Sequence, residues 1–167
     1  VRSRNQLLLD FSRKEVRDCV FDQICAVLDQ GKIDYVKWDM NRSMADVYAG
    51  NLSHDYVLGV YDFMERLCSR YPDLLLEGCS GGGGRFDAGI LYYSPQIWCS
   101  DNTDAINRTR IQYGTSFFYP VSTMGAHVSA VPNHQTGRVT SFHTRGVTAM
   151  AGTFGYELNP ALLSEEE

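Results

Sequence analysis

Several features that mark other classes of protein are missing from this sequence of 167 residues. No apolar run approaches the roughly 20 residues that a membrane-spanning helix needs. Basic residues are fewer than acidic ones, 15 against 20, which gives a formal net charge of −5. A basic surface that could follow a phosphate backbone is therefore not expected. We predict no membrane partner and no nucleic-acid partner.

Cysteine is present, but without the spacing of a disulfide framework. The five cysteines form no Cys-x-x-Cys pair, and the four histidines match no common zinc spacing. This pattern favours reduced thiols, a cytoplasmic location and no metal. The chain begins at Val1 without a Met and stops on three glutamates, so we expect a segment of a longer polypeptide.

Short apolar segments alternate with longer amphipathic segments, which is the pattern of βα units around a parallel sheet. Strands are predicted at residues 33–39, 74–78, 96–100, 124–129 and 153–158. Helices are predicted at residues 12–31, 53–69, 104–118 and 140–150. In the first helix, Ser12 and Glu15 have the spacing of a capping box, and Gly31 is placed to end the helix.

Polar residues follow the C-terminal ends of successive predicted strands, at Asp39, Cys79, Asp101 and His127. In a (β/α)8 barrel the chemistry takes place at that end, and a complete barrel needs about 250 residues. We therefore predict an α/β fold in which residues 1–167 form the later, C-terminal portion of a (β/α)8 TIM-type catalytic barrel, incomplete in this chain. For His127 a packed or solvated side chain is the simpler interpretation.

Asp39 and Asp101 are the leading candidates for catalysis, because paired carboxylates supply the nucleophile and the acid in glycoside hydrolysis. Lys37 precedes Asp39 by two residues and shares its face of the strand. A Lys–Asp pair that serves only the structure is an equally good interpretation of that spacing. Trp38 and Trp98 flank the two acids, and their presence favours sugar chemistry.

A run of four glycines at residues 81–84 follows the second strand. The run lacks a Walker ending and a dinucleotide spacing, so phosphate binding is weakly supported. Glycine allows close approach of the backbone to a hydroxylated ligand, whereas a flexible loop without a ligand is the alternative. Glu77, Asp87 and Asp104 also lie near this region, and helix capping or arginine pairing explains such acids better than catalysis.

Three long motifs resemble, in order, those of the family 36 α-galactosidases. They are YVKWDMNR at residues 35–42, EGCSGGGGRFD at 77–87 and WCSDNTDA at 98–105. Residues 4–10, RNQLLLD, also resemble the stretch before the nucleophile strand of that family. The resemblance covers practically the whole chain. It implies a fragment of the catalytic domain, with the flanking β-sandwich domains of the family absent from this chain.

The resemblance implies a retaining glycosidase that removes terminal α-D-galactosyl residues from melibiose- and raffinose-type oligosaccharides, without a metal or organic cofactor. Asp39 would be the nucleophile, and Asp101 would be the general acid and then the base. A homo-oligomer is expected for the full-length protein. The candidate substrate-binding residues are Arg4, Lys37, Trp38, Asn41, Cys79 and Gly81.

Two other functions stay open from the sequence: a galactosyl transferase of the raffinose or stachyose synthase type, and a sugar-binding module without catalysis. The presence of both Asp39 and Asp101 argues against the module. Asp101 is preferred as the acid because it directly follows its strand, whereas Asp104 suits the N-terminus of the next helix. The 167-residue chain alone is expected to be inactive.

Overall fold

Strands and helices alternate through the described part of the chain, which comprises residues 5–44, 47 and 50–167 of a computed structural model. The strands are β1 Tyr35–Asp39, β2 Leu75–Cys79, β3 Gln96–Ile97, β4 Gly125–Ser129 and β5 Thr153–Glu157. The α-helices are α1 Lys14–Leu28, α2 Leu52–Arg70, α3 Ala88–Tyr93, α4 Ala105–Ser116 and α5 Phe142–Ala149. No helix in these residues is long and apolar enough to cross a membrane.

The paired strands are parallel and follow one another in chain order. Strands β1, β2 and β3 form one sheet, in which Lys37 is opposite Glu77, and β4 pairs with β5 in a second sheet. One bridge, between Ile97 and Met124, links β3 to the start of β4. The predicted α/β fold is confirmed. Pairing in chain order is also what a (β/α)8 barrel uses, although barrel closure stays a prediction.

Alternation along the first two strands separates a polar face from an apolar face. Lys37 and Asp39 lie on the polar face of β1, and Glu77 has the same position on β2. The apolar face packs on the helices, where each fully buried large side chain contributes about 1.5–3 kcal/mol. This core contains Phe11, Leu28, Tyr56, Val60, Phe63, Met64, Leu67, Leu76, Ile90 and Ile97.

The start of α1 differs from the prediction. The helix begins at Lys14, after an N-cap residue, Arg13, that makes no side-chain capping bond. The Ser12 hydroxyl donates to Asp10 at 2.5 Å instead, and Arg13 forms an ion pair with Glu15. The predicted capping box is therefore wrong, because both of its side chains have other partners.

The remaining elements lie where they were predicted, with small changes of length. Strand β3 ends at Ile97, three residues early, although Trp98 still donates its backbone N–H to Gly78 at 2.8 Å. Helix α3 was not predicted. Its N-cap is Asp87, whose carboxylate accepts from the Ile90 backbone N–H at 2.9 Å, so the capping role expected for such acids is confirmed here.

Candidate active site

Asp39 ends β1, and two neighbours hold its carboxylate. The Asn41 side-chain amide donates to Asp39 Oδ2 at 2.6 Å. Cys79, opposite Asp39 at the end of β2, also hydrogen-bonds with this carboxylate. Burial, together with that hydrogen bond, raises the pKa of the Cys79 thiol to about 11, so the thiol stays protonated at neutral pH and can donate. The two donors fix the orientation of the carboxylate.

Lys37 forms its ion pair with Glu77 and not with Asp39. Its Nζ lies 3.4 Å from Glu77 Oε1 and 4.6 Å from the centre of the Trp98 ring. The predicted Lys37–Asp39 pair is corrected, because the register of the sheet places Glu77 directly opposite Lys37. The lysine side chain keeps 37% of its surface exposed, so these contacts do not enclose it.

Glu77 is fully buried, and its carboxylate accepts hydrogen bonds from two neighbouring side chains. Tyr35 donates its hydroxyl to Glu77 Oε2 at 2.7 Å, and the Gln96 amide donates to the same oxygen. Burial and the Glu77 hydrogen bond raise the pKa of Tyr35, so the phenol remains a donor. With Lys37 as its cation, Glu77 has a structural role, as expected, although its partner is a lysine and not an arginine.

Asp101 lies in the loop after β3, where its carboxylate accepts a hydrogen bond from a buried tryptophan. The distance from Trp98 Nε1 to Asp101 Oδ1 is 3.1 Å. The same indole ring lies beside Lys37, and the His127 ring centre is 4.6 Å away. One tryptophan therefore contacts both the lysine of β1 and the second candidate acid. The prediction of a packed His127 is confirmed.

The glycine turn after β2 connects the surroundings of the two acids. Gly82 has φ +87°, and a Cβ there would lie 3.1 Å from the backbone N of Asp101. Gly81 has φ +52°, and a Cβ there would lie 4.0 Å from Oδ1 of Asn41, the residue that donates to Asp39. Glycine suits the left-handed backbone at both positions, and at Gly82 it also permits the close approach to the loop with Asp101. The turn therefore lies beside Asn41, which donates to Asp39, and beside the backbone of Asp101.

Trp38, one of the predicted substrate-binding residues, faces away from Asp39. Trp38 is on the apolar face of β1, where its ring centre is 4.9 Å from that of Phe63 and 6.1 Å from that of Phe11. This position gives Trp38 a packing role and does not support sugar contact. Arg4 lies outside the described residues, so its role stays a prediction.

Asp104 is held as the N-cap of α4, as the sequence predicted. Its side chain is fully buried and accepts from the Asn107 backbone N–H at 3.0 Å, from Thr136 Oγ1 at 2.6 Å and from Arg138 at 2.5 Å. Burial favours the neutral acid, but the hydrogen bonds and the arginine outweigh it and lower the pKa of Asp104. A carboxyl group that readily loses its proton is a poor general acid.

Glu157, at the end of β5, is a polar residue that sequence reasoning missed. Its Oε2 lies 3.9 Å from His127 Nδ1, and this interaction lowers the pKa of Glu157. Its place at the end of a predicted strand was the available signal. Among the described residues, no group of three His, Cys, Asp or Glu side chains could hold a metal ion. All five cysteines are free thiols, as predicted.

A carboxylate at the end of β1 and a second one in the loop after β3, with a lysine, an amide and a thiol nearby, are groups that a site of the glycoside hydrolase class uses. Comparison with known proteins agrees with that class. The melibiase family matches residues 1–167, and the chain belongs to this family.

Two relatives of this chain are α-galactosidases. The chain is 97% identical over 167 residues to the bifunctional α-galactosidase/sucrose kinase AgaSK of Mediterraneibacter gnavus. This match covers 100% of the chain and 18% of AgaSK. It is 58% identical to α-galactosidase Mel36A of Lactobacillus acidophilus, covering 99% of this chain and 24% of the relative. The chain therefore spans about a fifth to a quarter of the length of these relatives.

Solved structures show the same fold. The galactosidase domain of AgaSK matches with a TM-score of 0.98 and 97% identity, over 99% of this chain and 23% of that one. A variant of the α-galactosidase AgaA from Geobacillus stearothermophilus, solved with raffinose, matches with a TM-score of 0.95 and 54% identity. The match covers 99% of this chain and 24% of the AgaA chain.

Proposed function

We propose that this chain carries the catalytic carboxylates of an α-galactosidase that hydrolyses terminal α-D-galactosyl residues with retention of configuration. The observation that carries the proposal is that one glycine turn lies beside Asn41, which donates to Asp39, and beside the backbone of Asp101. Melibiose- and raffinose-type oligosaccharides are the proposed substrates. Support comes from AgaA variants that were solved with raffinose and with stachyose.

The reaction takes two displacements. Asp39 attacks the anomeric carbon while protonated Asp101 gives its proton to the glycosidic oxygen, so the leaving sugar departs as an alcohol. A galactosyl ester then links the sugar to Asp39. Asp101, now a carboxylate, takes a proton from water as the water attacks the same carbon, which releases galactose and restores both acids.

The neighbours of Asp39 have separate tasks in this scheme. Asn41 and Cys79 orient the attacking carboxylate through the hydrogen bonds described above. Lys37, held between Glu77 and Trp98, presents its exposed ammonium group to the sugar hydroxyls. Galactose would lie against the backbone at Gly81, where a Cβ would have no atom nearer than Asn41 Oδ1 at 4.0 Å.

The test is the configuration of the first sugar released by the full-length protein from raffinose, followed by proton NMR before mutarotation. Retention predicts that α-galactose appears first. Release of the β-anomer would overturn the retaining mechanism, and no release at all would overturn the proposed function. Transfer of galactose to an added sugar acceptor in preference to water would favour the galactosyl transferase.

Lys37→Met should raise KM and lower kcat on raffinose together. A lost charge-assisted hydrogen bond costs about 1.5–3 kcal/mol, which is about 10- to 150-fold in kcat/KM. Methionine keeps much of the side-chain volume beside Trp98, but it leaves the buried Glu77 carboxylate without its cation.

The control for that change is the double variant Lys37→Met/Glu77→Gln. A neutral glutamine removes the unpaired buried charge, so thermal stability should recover while the kinetic loss remains. If the double variant also recovers kcat/KM, the lysine serves the structure and does not bind the sugar.

We further propose that residues 1–167 are the C-terminal portion of a (β/α)8 catalytic barrel. The support is the parallel pairing in chain order and the polar residues at the strand ends. The expected inactivity of the chain alone, a homo-oligomer of the full-length protein and its cytoplasmic location stay predictions.

A further inference from the structure

We propose that Arg108 is a positioning residue that holds Asp101 in place for proton transfer; this inference rests on the proposed function. Arg108 lies in α4 and is only 3% exposed. Its Nε donates to the Asn102 carbonyl at 2.8 Å, and Nη2 donates to the Ser100 carbonyl at 2.5 Å. Its Nη1 donates to the Gly125 carbonyl of β4 at 3.0 Å.

The two carbonyls on the loop belong to the residues on either side of Asp101. One planar guanidinium therefore fixes the Ser100–Asp101 peptide and the Asn102–Thr103 peptide, and the bond to Gly125 ties this unit to the start of β4. The donors of arginine have fixed relative directions, whereas those of lysine rotate about a single nitrogen. Arginine is thus suited to hold the backbone of a short loop in one conformation.

Arg108 also fixes the group that hydrogen-bonds to the Asp101 side chain. Its guanidinium carbon lies 4.4 Å from the centre of the Trp98 ring, and the indole N–H of that ring donates to Asp101 Oδ1. Cys99, between Trp98 and Ser100, accepts from Arg108 Nη1 through its sulfur at 3.1 Å. The arginine therefore holds both the backbone and the hydrogen-bond donor of the acid.

These contacts mean that Arg108 acts through the loop and not on the sugar. Its three nitrogens donate to protein atoms, and the side chain is buried. A displacement of about 1 Å of a catalytic group can cost about 100-fold in rate. The loss should fall on the step that needs the proton.

Arg145 is a matched control within the same chain. It lies in α5, is also 3% exposed, and donates to the Ser129 carbonyl at 2.7 Å and the Thr140 carbonyl at 3.1 Å. It therefore holds the loop after β4 much as Arg108 holds the loop after β3. Arg145→Lys makes the same chemical change at an equally buried arginine, whose partners Ser129, Thr140 and Glu167 do not include Asp101 or the residues next to it.

The experiment compares Arg108→Lys with Arg145→Lys in the full-length protein. We would measure kcat/KM on raffinose and on aryl α-galactosides whose leaving groups span a range of acidity, together with thermal unfolding. Arg108→Lys should lose about 10- to 100-fold more on raffinose than on the most activated aryl galactoside, because only the poor leaving group needs the proton. Arg145→Lys should change both substrates by the same factor.

Equal losses on raffinose and the activated galactoside in Arg108→Lys would overturn the inference, as would the same selectivity in Arg145→Lys. If Arg108→Lys does not fold, Arg108→Gln, which is shorter and neutral, is the second variant. It should show the same larger loss of kcat/KM on raffinose than on the activated galactoside. Failure of the proposed function would look different, because the unsubstituted protein would then hydrolyse neither substrate.

Discussion

Asp39→Ala in the full-length protein should lower kcat on raffinose by about 10⁴-fold or more, because loss of a catalytic nucleophile has effects of this size. The two buried acids nearby cannot replace it. Glu77 is paired with Lys37, and Asp104 is bound at the N-terminus of α4. Steady-state kinetics give the loss, and thermal unfolding checks that the variant is folded.

External azide separates a lost nucleophile from other causes of inactivity. In Asp39→Ala, azide can enter the space of the missing carboxylate and attack an activated aryl α-galactoside directly. The product should be β-galactosyl azide. In the unsubstituted protein, a 2-fluoro galactosyl inactivator should label the peptide with residues 37–42. A label on another peptide would show that Asp39 is not the nucleophile.

Asp101→Ala should lower kcat/KM on raffinose by about 10²- to 10⁴-fold, the range attributed to general acid catalysis. The loss should be much smaller on an aryl galactoside with a good leaving group, which departs without a proton. Azide should then attack the galactosyl ester at Asp39 and give α-galactosyl azide. The opposite anomers from the two variants assign the two carboxylates independently of any rate.

Asp104→Ala, three residues away, is the control. It removes the cap of α4 and leaves Arg138 and Thr136 without their buried partner, so a loss of about 1–3 kcal/mol in the free energy of unfolding is expected. Its effect on the two substrates should be equal. If leaving-group selectivity and α-galactosyl azide appear with Asp104→Ala and not with Asp101→Ala, the roles of these acids must be exchanged.

Local sequence patterns were enough for most of the fold and for the positions of Asp39 and Asp101 after their strands. Asp39 and Asp101 could be placed because each follows a short β-branched or aromatic segment, and parallel strands bring such ends together. The same two-residue period that puts Lys37 beside Asp39 puts Trp38 on the opposite face, so the packing role of Trp38 was also readable. The aromatic character of Trp38 had favoured a sugar contact instead.

Partners across the sheet and around the loops could not be read from the sequence. Glu77 faces Lys37 only because of the register between β1 and β2, which tertiary packing sets. In the sequence Arg108 is one arginine of a predicted helix, and only the folded structure shows that it binds the loop with Asp101. At Ser12 the local signal was present, but Asp10 provided a competing acceptor two residues earlier.

The separation of polar and apolar faces along β1 and β2 has a consequence for how such a protein can evolve. Positions on the polar face that we propose meet the substrate, such as 37, 39 and 79, alternate with positions that meet the helices, such as 36, 38 and 76. Mutations that adapt the enzyme to another sugar can therefore arise on one set while the other set continues to supply the folding energy. Neighbouring residues in one strand are then under different selection.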